Sequence, residues 1–141
     1  MQVTTQLAVF LANKPGTFAA VCEALAKAKI NIYAIATSDS VDHSVVRMVV
    51  ADPVKAERML EEIGALVIKT EVIMIEGSNK PGSLAQIMRT LAEAGVNIEY
   101  AYCATSPMVT RGMLIIRPDN VARALKALNL KSSSAPAKAK K

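Results

Sequence analysis

The sequence predicts an α+β fold in which two similar modules follow one another, each an antiparallel sheet with helices on one face. Three observations lead to this prediction. A four-residue motif recurs at a fixed spacing, apolar stripes with helical spacing follow both copies, and short apolar runs bounded by turn residues separate the stripes. We therefore expect a first module at residues 1–65, a second at residues 66–130 and a disordered Lys/Ala/Ser-rich tail at residues 131–141 of the 141-residue chain.

The recurring motif is Asn-Lys-Pro-Gly, which occupies residues 13–16 and again residues 79–82, a spacing of 66 residues. The same spacing relates Leu25-Ala26 to Leu91-Ala92 and Asn31-Ile32 to Asn97-Ile98. Agreement at one fixed spacing over separated segments indicates two copies of one structural unit.

Each copy predicts the same order of elements. A short apolar strand ends at the motif, and an amphipathic helix follows, in which Thr17 or Ser83 is expected to cap free N–H groups. Two strands of a hairpin and a second helix come next. The predicted helical stripes are Phe18, Val21, Cys22 and Leu25, then Ala56, Met59, Leu60 and Ile63, and in the second copy Leu84, Ile87, Met88 and Leu91, then Val121, Ala124, Leu125 and Leu128. The hairpin strands are predicted at 31–38 and 45–51, and at 97–105 and 111–117.

One further strand in each copy would complete a β-α-β-β-α-β layer of the ferredoxin-like kind. Residues 67–76 are long enough for their first half to close the first sheet and their second half to open the second. By the repeat spacing, Gln2–Thr5 would then close the second sheet. This exchange of closing strands is a hypothesis. It would be wrong if residues 2–5 paired only with strands of the first copy.

The third strands are apolar with little alternation, although a sheet with helices on one face should alternate. We expect the other face to be covered as well, and we favour a homodimer over the alternative in which the two sheets of one chain cover each other.

Charge, cysteine content and hydropathy limit which classes of protein the chain can belong to. The net charge is +5, but Lys131, Lys138, Lys140 and Lys141 supply four of those charges, which leaves the expected folded part near +1. Cys22 and Cys103 lie in apolar segments and are expected to be reduced thiols. No secretory signal pattern and no apolar run of roughly 20 residues occurs, so we expect a cytoplasmic protein without a membrane partner.

The repeat resembles the ACT domain family of amino-acid-binding regulatory modules over residues 1–130. The resemblance is carried by a strand, Asn-x-Pro-Gly, a small-residue helix and an Asn-Ile pair 18 residues after the first Asn, found twice. It implies a stand-alone pair of such modules, with the turn contacting the ligand and the later Asn completing the site across a module interface.

The motif also suits a zwitterion on physical grounds, because a helix N-terminus attracts a carboxylate and an amide oxygen accepts bonds from an ammonium. The candidate ligand-binding residues are Asn13, Lys14, Pro15, Gly16, Thr17 and Asn31, with Asn79, Lys80, Pro81, Gly82, Ser83 and Asn97. The alternative is that these residues only build good turns.

The chain also departs from some relatives. Serine-sensing ACT modules carry a His two residues before the first Asn, where this chain has Leu11 and Gly77. Tyr100 and Tyr102 correspond to Ala34 and Ala36 in the first copy, so the two sites are not expected to be equivalent.

The sequence predicts no enzyme, no metal site and no cofactor. His43 is the single histidine, and no Gly-rich phosphate loop or isolated carboxylate pair occurs. The alternatives are a regulatory subunit of an enzyme of amino-acid metabolism and, less favoured, a nucleic-acid-binding protein. The latter needs aromatic residues on its central strands, and the predicted third strands have none.

Overall fold

The computed structural model describes residues 1–39 and 41–133, and they form the order β-α-β-β-α-β-α-β-β-α. The chain divides into two compact units. The first unit comprises residues 3–72, and the second comprises residues 1–2 together with the described residues from Ile73 onward. The repeat found in the sequence is therefore also a repeat in structure.

The first unit consists of β1 (Gln2–Ala12), α1 (Thr17–Lys27), β2 (Ile32–Asp39), β3 (His43–Val50), α2 (Pro53–Glu62) and the first part of β4 (Leu66–Ser78). Its sheet has the order β2-β3-β1, with β4 beside β1. The strands β1, β3 and β2 are antiparallel, and Val9 lies opposite Val46 in the register.

The second unit repeats this arrangement, with antiparallel strands in the order β4-β6-β5. Its elements are the remainder of β4, α3 (Ser83–Glu93), β5 (Ile98–Ala104), β6 (Arg111–Pro118) and α4 (Val121–Ser133). Ile75 lies opposite Leu114, as Val9 lies opposite Val46. Equivalent residues are thus 66 apart as far as β5 and 68 apart from β6 onward, because the second hairpin is two residues longer.

Each unit has its own core between one face of its sheet and its two helices, as the predicted layer requires. In the first unit, Leu7, Val9, Met48 and the helix residues Val21, Leu25, Ala56 and Leu60 are buried together. In the second, Ile73, Leu114, Ile116, Leu91 and Ala124 take the same places. The antiparallel layer predicted from the repeat is confirmed in both units.

Both second helices begin at a side-chain cap. The Asp52 carboxylate accepts from the Lys55 N–H at 3.0 Å, and the Asn120 amide oxygen accepts from the Arg123 N–H at 2.9 Å. These bonds satisfy N–H groups that have no partner within the helix.

The first helices differ from the prediction in two ways. Their N-caps are Gly16 and Gly82, with no side-chain cap, so the predicted capping by Thr17 and Ser83 is wrong. The stripes also begin later than predicted, because Phe18 stays 41% exposed and Leu84 47% exposed.

The predicted segment ends are also refined. Residues 66–72 of β4 belong to the first unit, and the later residues of β4 belong to the second. Of the segment 2–5, which was expected to close the second sheet, Gln2 alone is assigned to the second unit. Helix α4 extends through Ser133, so residues 131–133 of the expected tail are helical. The rest of that tail, residues 134–141, lies outside the described residues.

Candidate functional site

The two Asn-Lys-Pro-Gly turns have one backbone conformation. Gly16 has φ +91° and Gly82 has φ +86°, which lies in the left-handed region that glycine adopts without steric cost. The next residue begins the helix, and its N–H donates back to the lysine carbonyl, at 3.4 Å for Thr17 and 3.1 Å for Ser83. Glycine is therefore required here by the sharp passage from strand to helix.

The second turn leaves helix N–H groups available. The Gln86 N–H donates to the Gly82 carbonyl at 3.0 Å, and the Ser83 N–H donates to Lys80. The N–H groups of Leu84 and Ala85 lie between them and have no side-chain cap. They form the positive end of the helix dipole, which suits a carboxylate, and Lys80 of the same turn adds a positive charge to the segment.

The hydroxyl of Thr17 is used inside the first turn. Its Oγ1 lies 2.7 Å from the Ala12 carbonyl oxygen and 3.0 Å from that of Lys14. Thr17 therefore helps to close its own turn. This agrees with the alternative in which the residue has a structural role.

The side chain of Asn79 fastens the turn to the β5–β6 loop, residues 105–110. Its Nδ2 donates to the carbonyl of Ser106 at 3.1 Å and to that of Val109 at 2.8 Å. Its backbone N–H donates to Thr110 at 2.9 Å, as the Asn13 N–H donates to Asp42 at 3.0 Å. Both amide protons of Asn79 are engaged, so its Oδ1 is the part of the side-chain amide left to accept a hydrogen bond from a ligand.

A pocket of about 140 Å³ opens beside the second turn, within the second unit. It lies between the start of α3 and the sheet. Its walls are mostly apolar, and among its lining residues in the described chain Lys80 carries the single charge. The lining comprises Ile75, Gly77, Ser78, Asn79, Lys80, Ser83, Leu84, Ile87, Cys103, Ala104, Thr105, Gly112, Met113 and Leu114.

Glycines create the space. Gly77 and Gly112 face each other across β4 and β6, and a Cβ built on Gly77 would meet nothing within 4 Å. The equivalent of Gly77 in the first unit is Leu11, which is 9% exposed and belongs to the core. A leucine side chain therefore occupies in the first unit the position that is open in the second.

The cavity found near the first turn has a different position. It is lined by Thr17, by the end of β1, by Ala20 and Val21 of α1, and by residues 63–65 after α2. Of the first-copy candidates, Thr17 lines it, whereas Asn13, Lys14, Pro15 and Gly16 do not.

The later asparagines do not join the turns within their own unit. The Asn97 carbonyl accepts from the Asp119 N–H at 2.9 Å, whereas Asn79 bonds to Thr110 at the other end of β6. A strand of this length separates those ends by roughly 25 Å. Asn31, bonded to the Ala51 N–H at 2.9 Å, is placed in the same way in the first unit.

Of the residues predicted from the sequence, the pocket of the second unit is lined by Asn79, Lys80 and Ser83. Pro81 and Gly82 shape the turn beside it. Sequence reasoning missed Thr105, Gly112 and Cys103. The available signal was Gly112, because a glycine inside a predicted strand often marks a close approach of another group. In the structure a Cβ on Gly112 would lie 3.2 Å from the Thr105 Cβ.

Other chemistry finds little support in the part of the chain that is described. Residues 1–39 and 41–133 contain no group of three His, Cys, Asp or Glu residues placed to hold a metal ion. His43 is exposed at the first position of β3. The same residues include no helix with the length and apolar character needed to cross a bilayer.

A family model described as an ACT domain pair matches residues 1–135. The chain belongs to the ACT domain pair family. The resemblance inferred from the two motifs and their Asn-Ile pairs is thereby confirmed, as is the fold class. Among curated proteins no match is found.

Solved structures agree with this assignment. Protein BT0572 from Bacteroides thetaiotaomicron is 35% identical with a TM-score of 0.87, over 92% of this chain and 89% of that one. The ligand-free regulatory subunit of aspartate kinase from Thermus thermophilus is 24% identical with a TM-score of 0.66, over 92% of this chain and 97% of that one. The second likeness shows a shared fold.

Proposed function

We propose that this ACT domain pair is a non-catalytic regulatory protein that binds an amino acid at the Asn-Lys-Pro-Gly turns, with the second turn as the principal site. The observation that carries the proposal is the pocket beside residues 79–83, a mostly apolar cavity that Lys80 lines next to the uncapped start of α3. A cavity with a few convergent polar groups is the usual form of a small-molecule site.

In this proposal each part of the ligand has a partner. The carboxylate lies against the N–H groups of Leu84 and Ala85 and near the Lys80 ammonium, where the helix dipole favours negative charge. The ammonium donates to Asn79 Oδ1 and to the Ser83 hydroxyl, since both oxygens accept hydrogen bonds. The side chain enters the cavity.

The later asparagines enter the proposal through assembly. Asn97 and Asn31 lie at the far end of their own sheets from the turns, so neither contacts an amino acid bound at the turn of its own unit. We propose a homodimer in which such a contact comes from a second copy of the chain. Light scattering after gel filtration, with and without ligand, measures the mass directly, and a monomer in both conditions would remove this part of the proposal.

A second candidate is regulation of a separate enzyme chain. The aspartate kinase regulatory subunit from Thermus thermophilus is matched over 97% of its length, so a chain of this size and fold can be a subunit in that protein. Co-purification of a catalytic polypeptide with the tagged protein from its own cells would favour this candidate.

The test of the principal proposal is a thermal-shift screen against the twenty amino acids, confirmed by calorimetry. Saturation at about 100 times Kd stabilises the folded state by roughly 2.7 kcal/mol. Lys80→Ala should weaken the binding of the hit, and the matched variant Lys14→Ala at the first turn should leave it unchanged. The absence of any shift would refute the proposal.

A further inference from the structure

The lining of the pocket in the second unit indicates which ligand side chains fit, because most of this lining is apolar. Apolar side chains of Ile75, Leu84, Ile87 and Leu114 surround the cavity, and no carboxylate lines it in the described chain. A charged or long polar side chain packed against these apolar walls would lose its water. An aliphatic side chain would gain by leaving water.

The size of the cavity determines how much of a side chain it can enclose. Its volume is about 140 Å³. A cavity of about 150 Å³ lined by aliphatic and aromatic side chains holds benzene, so this pocket accommodates roughly four to six carbon-sized atoms.

The first unit lacks this space because larger side chains stand at the equivalent positions. Leu11 replaces Gly77 and is packed into the core. Phe18 replaces Leu84 at the start of the helix. The two turns share their backbone conformation, but the cavity of about 220 Å³ near the first turn lies between the end of β1, α1 and residues 63–65, and not at the position equivalent to the pocket of the second unit.

We infer that the ligand is an amino acid with an aliphatic side chain, of the valine, leucine, isoleucine or methionine class, and that each chain binds one molecule at the second turn. This inference rests on the proposed amino-acid binding at that turn. Each additional buried methylene should then tighten binding about fourfold until the cavity is full.

Calorimetry on the full chain tests it, with alanine, valine, leucine, isoleucine, methionine, serine, aspartate and lysine as ligands. Two variants fill the pocket: Gly77→Leu, which introduces the side chain found at position 11, and Cys103→Leu on the opposite wall. Gly77 does not have a left-handed φ and its Cβ position is open, so the backbone accepts a side chain there. Thr37→Leu is the matched control, because Thr37 is the exposed equivalent of Cys103 in the first unit.

The expected result is a stoichiometry of one per chain, an affinity that rises from alanine to leucine, a loss of more than tenfold in both filling variants, and unchanged binding in the control. Binding of a polar amino acid with no loss in either filling variant, or two sites per chain, would overturn the inference and leave amino-acid binding itself standing. No binding of any amino acid would refute the proposed function, and this inference with it. Cys103→Leu keeps the test decisive if Gly77→Leu fails to fold.

Discussion

Removing the side chain of Asn79 should loosen the β5–β6 loop. Its Nδ2 makes two hydrogen bonds to that loop, at 3.1 Å to Ser106 and 2.8 Å to Val109. A neutral hydrogen bond contributes about 0.5–1.5 kcal/mol net, and water replaces part of it in an exposed loop, so Asn79→Ala should lower the free energy of unfolding by roughly 1–2 kcal/mol. Urea denaturation measures this difference.

Hydrogen exchange locates the effect. The Val109 N–H donates to the Ser106 carbonyl at 3.1 Å, so its protection depends on the loop staying closed. A loss of 1.4 kcal/mol in closing the loop corresponds to about tenfold faster exchange. Unchanged exchange at Val109, together with wild-type stability, would show that Asn79 does not hold the loop.

Asn79→Asp sharpens the same test through pH. The introduced carboxylate would face two carbonyl oxygens in place of two N–H donors, and this repulsion should raise its pKa above the ordinary value of about 3.9 for Asp. A raised folded-state pKa makes the variant least stable at neutral pH, and the deficit should shrink as the pH falls through that pKa toward 4, where the protonated acid can donate one bond. At pH 7 the Asp variant should be less stable than Asn79→Ala, and the reverse order would contradict the geometry.

Four other substitutions have expected effects on stability that follow from the fold. Asp52→Ala and Asn120→Ala should each cost about 0.5–2 kcal/mol of unfolding free energy, because each removes the cap of a second helix, and denaturation of the two variants should give similar losses. Gly16→Ala should cost roughly 1–2 kcal/mol from the left-handed φ alone, and a wild-type melting curve would contradict this account of the turn. Leu60→Ala should cost about 2–5 kcal/mol because it empties a fully buried position, whereas truncation of the exposed Val54 to Ala should change stability little.

The fold was predictable because local signals agree with one another. The left-handed turn requires Gly16 and Gly82, and the stripes through Val21 and Leu91 have helical spacing. What failed was the identity of the caps. A hydroxyl next to a helix start predicts a cap, but Thr17 is already helical and its hydroxyl contacts carbonyl oxygens of the turn.

The site was only partly predictable for a different reason. Asn79 and Lys80 could be named because they belong to a repeated motif, and Ser83 because it directly follows that motif. Thr105 and Cys103 could not, since their place in the pocket depends on how β5 pairs with β6 and on a hairpin loop whose extra length has no counterpart in the first copy. Tertiary placement of this kind leaves no mark in local composition.

The comparison of the two copies suggests where function should be sought in a repeat protein. The glycines of the two copies make the same turn, and the backbone N–H groups of Asn13 and Asn79 bond to equivalent loop carbonyls. Their recurrence therefore indicates a shared backbone and does not by itself indicate a shared ligand site. The open pocket of the second unit accompanies a difference, Gly77 in place of Leu11, at a position outside the repeated motif. We therefore expect positions where equivalent core residues change in size to indicate a binding site better than the motif that first reveals the repeat.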